Sequence, residues 1–422
     1  MDSIRVQGGQ RLKGDIRISG AKNSAIKLMA VCLLTDGPVT LTNMPRLRDT
    51  RFMGELLKTF GATVEEREDD TLFLHLPTLT STTADYDLVR KMRASFNVLG
   101  PLIAREGKAR VSLPGGCAIG ARPVDLHLKA LKALGANIEL DEGYVIASAP
   151  DGGLTGGDIT FPFISVGATE HALLTAVLAK GTTTINNAAR EPEIKDLADC
   201  LIAMGAKVEG AGRSEIIIEG VERLNGITYD VVPDRIEAGT YALATATAGG
   251  KVRLTNVRSD HLGSLWPLIA QSGAEIRMDE DSVTVTRKKN STIQPVDVDT
   301  MAYPGFPTDL QAQFMTMMTL ADGTSIIREN IFENRFMHCP ELTRMGADIT
   351  VRGREAVVKG VAALHGARVM ATDLRASASL IAAGLAAEGT TTISRVYHLD
   401  RGFERIEEKL ARVGATIERI AE

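Results

Sequence analysis

Cysteine is scarce in this chain. Four occur in 422 residues, at Cys32, Cys117, Cys200 and Cys339, with no C-x-x-C spacing and no pairable framework. That excludes a disulfide scaffold and a thiolate zinc site, and it suits a reducing cytoplasm. Aromatic residues are equally thin, with six Tyr, eleven Phe and one Trp, too few for a platform that stacks bases. A basic surplus is also missing. Lys and Arg number 48 against 53 Asp and Glu, a formal charge of −5, whereas phosphate backbones select for excess cations, so nucleic acid is excluded as a partner. The longest uncharged apolar stretch, Ala376 to Ala387, falls short of the roughly 18 to 20 residues of a membrane span. No apolar segment of signal-peptide type follows Arg5, Arg11 and Lys13. A soluble cytoplasmic protein without membrane insertion is expected. P-loop, nucleophile-elbow and HExxH patterns are absent, and nothing in the chain requires a metal, dinucleotide or other cofactor.

What the chain does have is a sixfold repeat. A helix-like run ending in Gly-Ala and followed by polar–apolar alternation recurs as TFGATVEE, ALGANIEL, AMGAKVEG, QSGAEIRM, RMGADITV and RVGATIER. The glycines are Gly61, Gly135, Gly205, Gly273, Gly346 and Gly414, spaced by 74, 70, 68, 73 and 68 residues. Glycine after a helix supplies the left-handed cap, and the alternation after it predicts a half-buried strand. A turn and strand precede each of these, as in AKGTTTINNA and AEGTTTISRV. Ahead of each turn lies an Ala/Leu/Met-rich helix, opening near Asn23, Arg93, Gly167, Glu237, Thr308 and Arg375. Six α/β units are too many for one core. Three per domain gives two domains of about 200 residues each, with the boundary at Tyr229 to Asp234.

The second unit carries an insertion. From turn glycine to helix-end glycine it runs 28 residues, Gly107 to Gly135, where the first runs 24, Gly37 to Gly61. The extra residues coincide with PGGCAIGARP, Pro114 to Pro123, and an insertion in one repeat of a regular array usually marks a binding face. Cys117 sits inside this glycine-bounded loop, five residues from Arg122, a cation able to lower a thiol pKa; acid, nucleophile and redox roles are all open to it. Arg122 opens the following helix with Pro123 at a first-turn position suited to an anion. His127, one turn further, reads by itself as structural.

Lys22 in GAKNSA lies where Asn23 or Ser24 would cap the first helix, and a lysine there can also complete an anion site. Arg93 and Arg375 occupy matching helix starts, where a cation is unfavourable unless an anion or a capping partner arrives. Thr308 and Gln311 form a capping-box pattern around Asp309. Residue chemistry therefore leads to a two-domain α/β repeat protein with a cysteine loop and several cations for a small polyanion.

PGGCAIGARPVDLH, GAKNSA, AREPEI, FPTDLQAQFM, ENRFMH, ATDLRASASL and HLDRGFERIEEKL together resemble the enolpyruvyl transferases of the EPSP synthase superfamily, and within it the branch that acts on UDP-N-acetylglucosamine in peptidoglycan synthesis. The likeness runs from Gly20 to Leu410. It implies two inside-out α/β barrel domains, each of three βαβαββ-type repeats, with the active site in the cleft between them. Residues 21–231 would form the N-terminal domain with the Cys117 loop, and 1–20 plus 232–422 the C-terminal one.

The resemblance further implies transfer of enolpyruvyl from phosphoenolpyruvate to the 3′-hydroxyl of UDP-N-acetylglucosamine, with release of phosphate. Cys117 would be the general acid and the site of alkylation by fosfomycin. Lys22, Asn23, Arg122 and Arg401 would bind phosphoenolpyruvate, Lys22 and Arg401 also counting in the catalytic set. Arg93, Arg122, Pro123, Val124, Asp125, Leu126, Phe163, Ile164, Ser165, Val166, Gly167, Asp309 and Ile331 would hold the nucleotide sugar. Asp309 would take the hydroxyl proton, and Arg335, Asp373 and Arg375 would line the cleft. The chain departs from the family pattern at Asn97, where members carry tryptophan, and at Phe163, where some carry lysine. The rivals are a shikimate-pathway relative with the same chemistry and a non-catalytic paralogue, which would be expected to lose Cys117, Asp309 or Arg401.

Overall fold

The computed structural model describes residues 2–114, 124–289 and 291–421. It contains two compact units. One comprises residues 20–114 and 124–232, and the other residues 2–19 together with the described residues from 233 to 421. The chain thus passes between units at Ser19–Gly20 and again at Val232–Pro233. The second passage is narrower than the segment expected from sequence, because Tyr229 and Asp230 already belong to a strand, Ile227–Asp230, paired in parallel with Val39–Thr42.

Each unit holds three four-stranded sheets, and among the described residues no strand pairing joins one sheet to the next. Every sheet has the same order: a parallel edge strand, the strand after the turn glycine, and then two antiparallel strands. Thr182–Asn186, for example, lies between Asp158–Thr160 and Glu215–Glu219. Alternation does its expected work there, with Ile216 and Ile218 fully buried and Glu215, Ile217 and Glu219 facing out.

Three sheets close by borrowing from far along the chain. Ile227–Asp230 supplies the edge of the first sheet of its unit. Leu12–Arg17 does the same for Gly250–Thr255, while Ser3–Gln7 sits between Thr390–Ser394 and Thr416–Ile420. The first strands of the chain therefore belong with its second half.

Helices form the interior. Gln311–Met318 is buried along its whole length, and Arg235–Ala248 and Leu374–Ala386 are nearly so. A helix with no polar face can only be a core helix. Thr240, Thr245, Thr247 and Thr316 remain compatible because each hydroxyl donates to the carbonyl one turn back. This is the inside-out arrangement, with helices central and sheets around them. The six repeat glycines all have positive φ, from +87° at Gly135 to +105° at Gly205, as a left-handed cap requires.

Capping differs from expectation at two helices. Lys22–Ala30 is preceded by Ala21 with no side-chain cap, and Ser24 instead donates to the buried Asp196. The Thr308–Gln311 capping box does not form. Thr308–Leu310 is a 3-10 turn, and the Thr308 hydroxyl donates to Glu329 at 2.8 Å. In both places a buried carboxylate competes successfully for the hydroxyl, since leaving it unpaired would cost more than an unmade cap.

The core of the first unit contains an ion pair, Lys27 Nζ to Glu170 Oε2 at 2.9 Å, with side chains 9% and 3% exposed. Burial pushes the Glu170 carboxyl up and the Lys27 ammonium pulls it back down. Lys27→Met alone strands that carboxylate and is expected to cost about 3–5 kcal/mol. The double variant Lys27→Met/Glu170→Leu is expected to recover most of the loss. Urea midpoints for the cycle decide it, and a single-variant cost under about 1 kcal/mol would mean that the pair is not coupled.

Candidate active site

The expected site residues fall into local groups. In the second unit, Asp309 lies on the 3-10 turn before Gln311–Met318, and Arg335 and Arg375 converge on it. Arg335 Nη2 donates to Oδ1 at 2.7 Å and Arg375 Nη2 to Oδ2 at 3.0 Å. Both guanidiniums are held from behind by rings, Arg335 by Phe332 and Arg375 by Phe403. Arg375 stands at a helix start, and the mismatch of a cation there is resolved locally. Asp373 caps the helix, accepting from the Arg375 and Ala376 amides at 2.8 and 3.1 Å. Burial raises the Asp309 carboxyl pKa, but the two guanidiniums outweigh it and hold the group well below the usual carboxylate range. The cluster is a permanent carboxylate between two cations, one positive charge in excess.

Sequence reasoning missed the residue that holds this cluster in place. Glu329 is 1% exposed and accepts from four donors: the Thr300 and Thr308 hydroxyls and the Ile331 and Phe332 amides, at 2.8–3.1 Å. It ties the Asp309 turn to the loop that carries Ile331 and Phe332. The signal was a glutamate directly after a strand, Thr324–Arg328, which periodicity reads as an ordinary polar edge. Arg401 closes the 3-10 turn Val396–Arg401 on another part of the same unit.

In the first unit, Lys22 opens its helix and its ammonium lies 3.5 Å from the buried Asp49 carboxylate. Asn23 beside it is exposed. Val124 precedes the helix Asp125–Ala133, with Asp125 exposed in its first turn and Leu126 buried. Ser165 caps Val166–Ala176, accepting from the Ala168 amide at 3.4 Å. The two helix starts adjoin, because the Cε1–Nε2 edge of His127 lies against the α-carbon of Gly167, where a β-carbon would sit 3.3 and 3.4 Å from those atoms. Neighbouring helix N-termini present amide donors and a positive potential to an anion.

Just ahead of Ser165, Phe163 and Ile164 are 59% and 38% exposed, apolar surface beside a polar cradle. Asn97, on the 3-10 turn that Arg93 opens, donates from Nδ2 to the Gly167 carbonyl at 3.4 Å. The structure therefore brings Val124–Leu126 and Ser165–Gly167 together, and Asp309 with Arg335, Arg375 and Asp373. Cys117, Arg122 and Pro123 lie outside the described residues. The other three cysteines are buried, their thiols pushed up to about 12 by burial, which leaves them inert. Among the described residues no cluster of His, Cys, Asp or Glu has the makings of a metal site, and no helix is long and apolar enough to cross a membrane.

The family model described as EPSP synthase (3-phosphoshikimate 1-carboxyvinyltransferase) matches residues 6–410. The chain belongs to the EPSP synthase family. Its relatives in that family include proteins named UDP-N-acetylglucosamine 1-carboxyvinyltransferase. One, from Maricaulis maris (strain MCS10), is 65% identical, the alignment covering 100% of this chain and 99% of the relative. Another, from Zymomonas mobilis, is 58% identical with 100% of both covered. Among solved structures, the enolpyruvyl transferase NikO from Streptomyces tendae superposes with a TM-score of 0.88 at 27% identity, covering 100% of this chain and 99% of that one. EPSP synthase from Acinetobacter baumannii, with a TM-score of 0.75, 18% identity and 100% of both chains covered, shares the fold. As a member of this family the chain is a transferase.

The Asp309 cluster makes a prediction about acid. In an unfolded chain an aspartate takes up its proton near pH 3.9, whereas folded Asp309 holds its charge to lower pH. Its contribution to stability is full above about pH 5 and is lost as pH falls towards its depressed folded value. Asp309→Asn is expected to cost about 3 kcal/mol or more at pH 7, with the gap to the parent narrowing below pH 4. A gap that stays constant down to pH 3, measured by urea denaturation, would contradict the clamp.

Proposed function

We propose that this chain transfers the enolpyruvyl group of phosphoenolpyruvate to the 3′-hydroxyl of UDP-N-acetylglucosamine, releasing phosphate, in the first committed step of peptidoglycan synthesis. The observation that carries this reading is the near-complete coverage and high identity with relatives named for that acceptor. The cytoplasm, where both substrates are soluble metabolites, is the proposed location.

The reaction is an addition followed by an elimination. In the first step the methylene carbon of phosphoenolpyruvate gains a proton and the sugar oxygen bonds to its central carbon while losing its own. In the second, the bond from that carbon to the phosphate oxygen breaks and the methyl group returns a proton, restoring the double bond. One acid, one base and fixed cations are needed. We assign the acid to Cys117, whose thiol class titrates near 8.5 when unperturbed. Lys22, Asn23, Arg122 and Arg401 are assigned to phosphoenolpyruvate. Arg93, Arg122 to Leu126, Phe163 to Gly167 and Ile331 are assigned to the nucleotide sugar.

Asp309 is assigned as the base, and its clamp constrains how it works. A carboxylate shared by two guanidiniums is a poor proton acceptor. Its basicity rises when either cation turns to an anionic substrate, so Arg335 or Arg375 exchanges Asp309 for substrate as the complex forms. Charged-substrate binding and base activation are then one event, which keeps the base silent in the empty enzyme.

A second reading, transfer to 3-phosphoshikimate, has the description of the matching family model in its favour. Phosphate release from phosphoenolpyruvate with each acceptor in parallel separates the two. Release is expected with UDP-N-acetylglucosamine alone, and release with shikimate 3-phosphate alone would transfer the chain to the other acceptor. Cys117→Ala is expected to reduce turnover at least about a hundredfold while leaving UDP-N-acetylglucosamine binding intact by calorimetry; normal turnover would remove Cys117 as the acid. Cys117→Asp is expected to keep turnover and escape fosfomycin, and full inhibition of that variant would place the alkylated group elsewhere.

A further inference from the structure

Asp196 is a buried carboxylate that none of the roles assigned above uses. It lies on the helix Pro192–Ala203 and is 8% exposed. Two hydroxyls converge on it from other elements. Ser24, in the first turn of Lys22–Ala30, donates to Oδ2. Tyr229, on the strand Ile227–Asp230, donates to Oδ1 at 2.9 Å and also reaches the Asp196 backbone carbonyl at 3.1 Å. Burial pushes the carboxyl up to about 6, and the Ser24 and Tyr229 hydroxyls, with the Val232 amide, are what chiefly pull it back. The lysines of the Ser24 helix are engaged elsewhere, Lys22 with Asp49 and Lys27 with Glu170. Burying a carboxylate on hydrogen bonds of this kind is costly, so its presence calls for a reason.

The helix that Asp196 grips begins poorly. Ala21 gives it no side-chain cap, its first turn holds no acidic residue, and it opens with a lysine at the positive end of the helix dipole. Two ties hold that start in place. The Ala21 amide donates to the Val232 carbonyl at 2.7 Å, joining the chain as it enters the unit to the chain as it leaves. Asp196 makes the second tie, fastening Ser24 of the entering helix to Tyr229 of the departing strand. Ser24 is fully buried, Lys22 partly so, and Asn23 exposed. Residues two apart on an α-helix differ by about 200° of rotation. A grip on Ser24 from the inner side therefore sets the rotation at which Lys22 and Asn23 are presented on the outer.

We infer that Asp196 is a positioning residue for phosphoenolpyruvate: by holding the Ser24 and Tyr229 hydroxyls together behind the first helix, it fixes the placement of Lys22 and Asn23. This rests on the assignment of those two residues to phosphoenolpyruvate. The segments assigned to the nucleotide sugar, Val124–Leu126 and Ser165–Gly167, stand at the starts of other helices. Loosening the Ser24 tie therefore weakens one substrate and spares the other, a split that a general loss of packing would not produce.

The test uses the full chain and the variants Ser24→Ala, Asp196→Leu and Asp196→Asn. Phosphate release at saturating UDP-N-acetylglucosamine gives KM for phosphoenolpyruvate and kcat. Calorimetry gives the affinity for UDP-N-acetylglucosamine alone, and hydrogen exchange reports on the helix Lys22–Ala30. Ser24→Ala and Asp196→Leu are each expected to raise KM for phosphoenolpyruvate about three- to tenfold and to speed exchange at the helix start, with UDP-N-acetylglucosamine affinity unchanged. Their double variant is expected to be no worse than the stronger single one, because both remove the same tie. Asp196→Asn, whose amide still bonds both hydroxyls, is expected to recover most of the loss. Ser24→Ala removes a single oxygen and keeps the test open if Asp196→Leu fails to fold. An unchanged KM for phosphoenolpyruvate in Ser24→Ala would overturn the positioning role, as would equal weakening of both substrates. No phosphate release by the parent would instead overturn the functional reading, and faster exchange in the variants would still show that Asp196 sets the helix start.

Discussion

Everything in this structure follows from helices that are buried on every side. A helix such as Gln311–Met318 offers no face to water, so it needs partners all round. Three sheets per unit supply the outer wall, each burying one side of its strands and exposing the other. The helices meet through small residues and through threonines that satisfy their own hydroxyls one turn back. The rule in such a core is that polar groups are paired, the buried Gln311 side chain, whose amide nitrogen and oxygen both lack a partner, being an exception.

The candidate site shows the rule applied to charge. Asp309 is placed between two guanidiniums, and Glu329 beside it spends its carboxylate on four donors to fix the turn and the neighbouring loop. The first is held by charged partners alone, while the second is fully committed to hydroxyl and amide donors and therefore structural. In the other unit, the buried His171 achieves polarity without charge. The Gly100 amide donates to His171 Nε2, which places that ring's proton on Nδ1, facing His127, and burial lowers the His171 pKa and keeps that ring neutral.

The departures from the family pattern gain meaning in this setting. Asn97 donates to the Gly167 carbonyl. Phe163 stands exposed before the Ser165 cap. Both lie around one helix start, that of Val166–Ala176, and Asn97 supports it directly.

The sequence by itself determined the repeat. Glycine at each helix end, with alternation after it, is local chemistry, and all six glycines take the left-handed conformation that their spacing implied. It also marked the candidate residues, because their motifs are contiguous and specific to a family. Sequence reading failed where a side chain had two possible partners. Ser24 and Thr308 looked like caps and instead serve Asp196 and Glu329, carboxylates 172 and 21 residues away. Only the tertiary structure decided those competitions, as it decided that Ser3–Gln7 completes the last sheet and that His171 meets His127. The physical reason is common to all of them: burial sets the cost of an unpaired polar group, and burial is a property of the packed fold rather than of any stretch of chain.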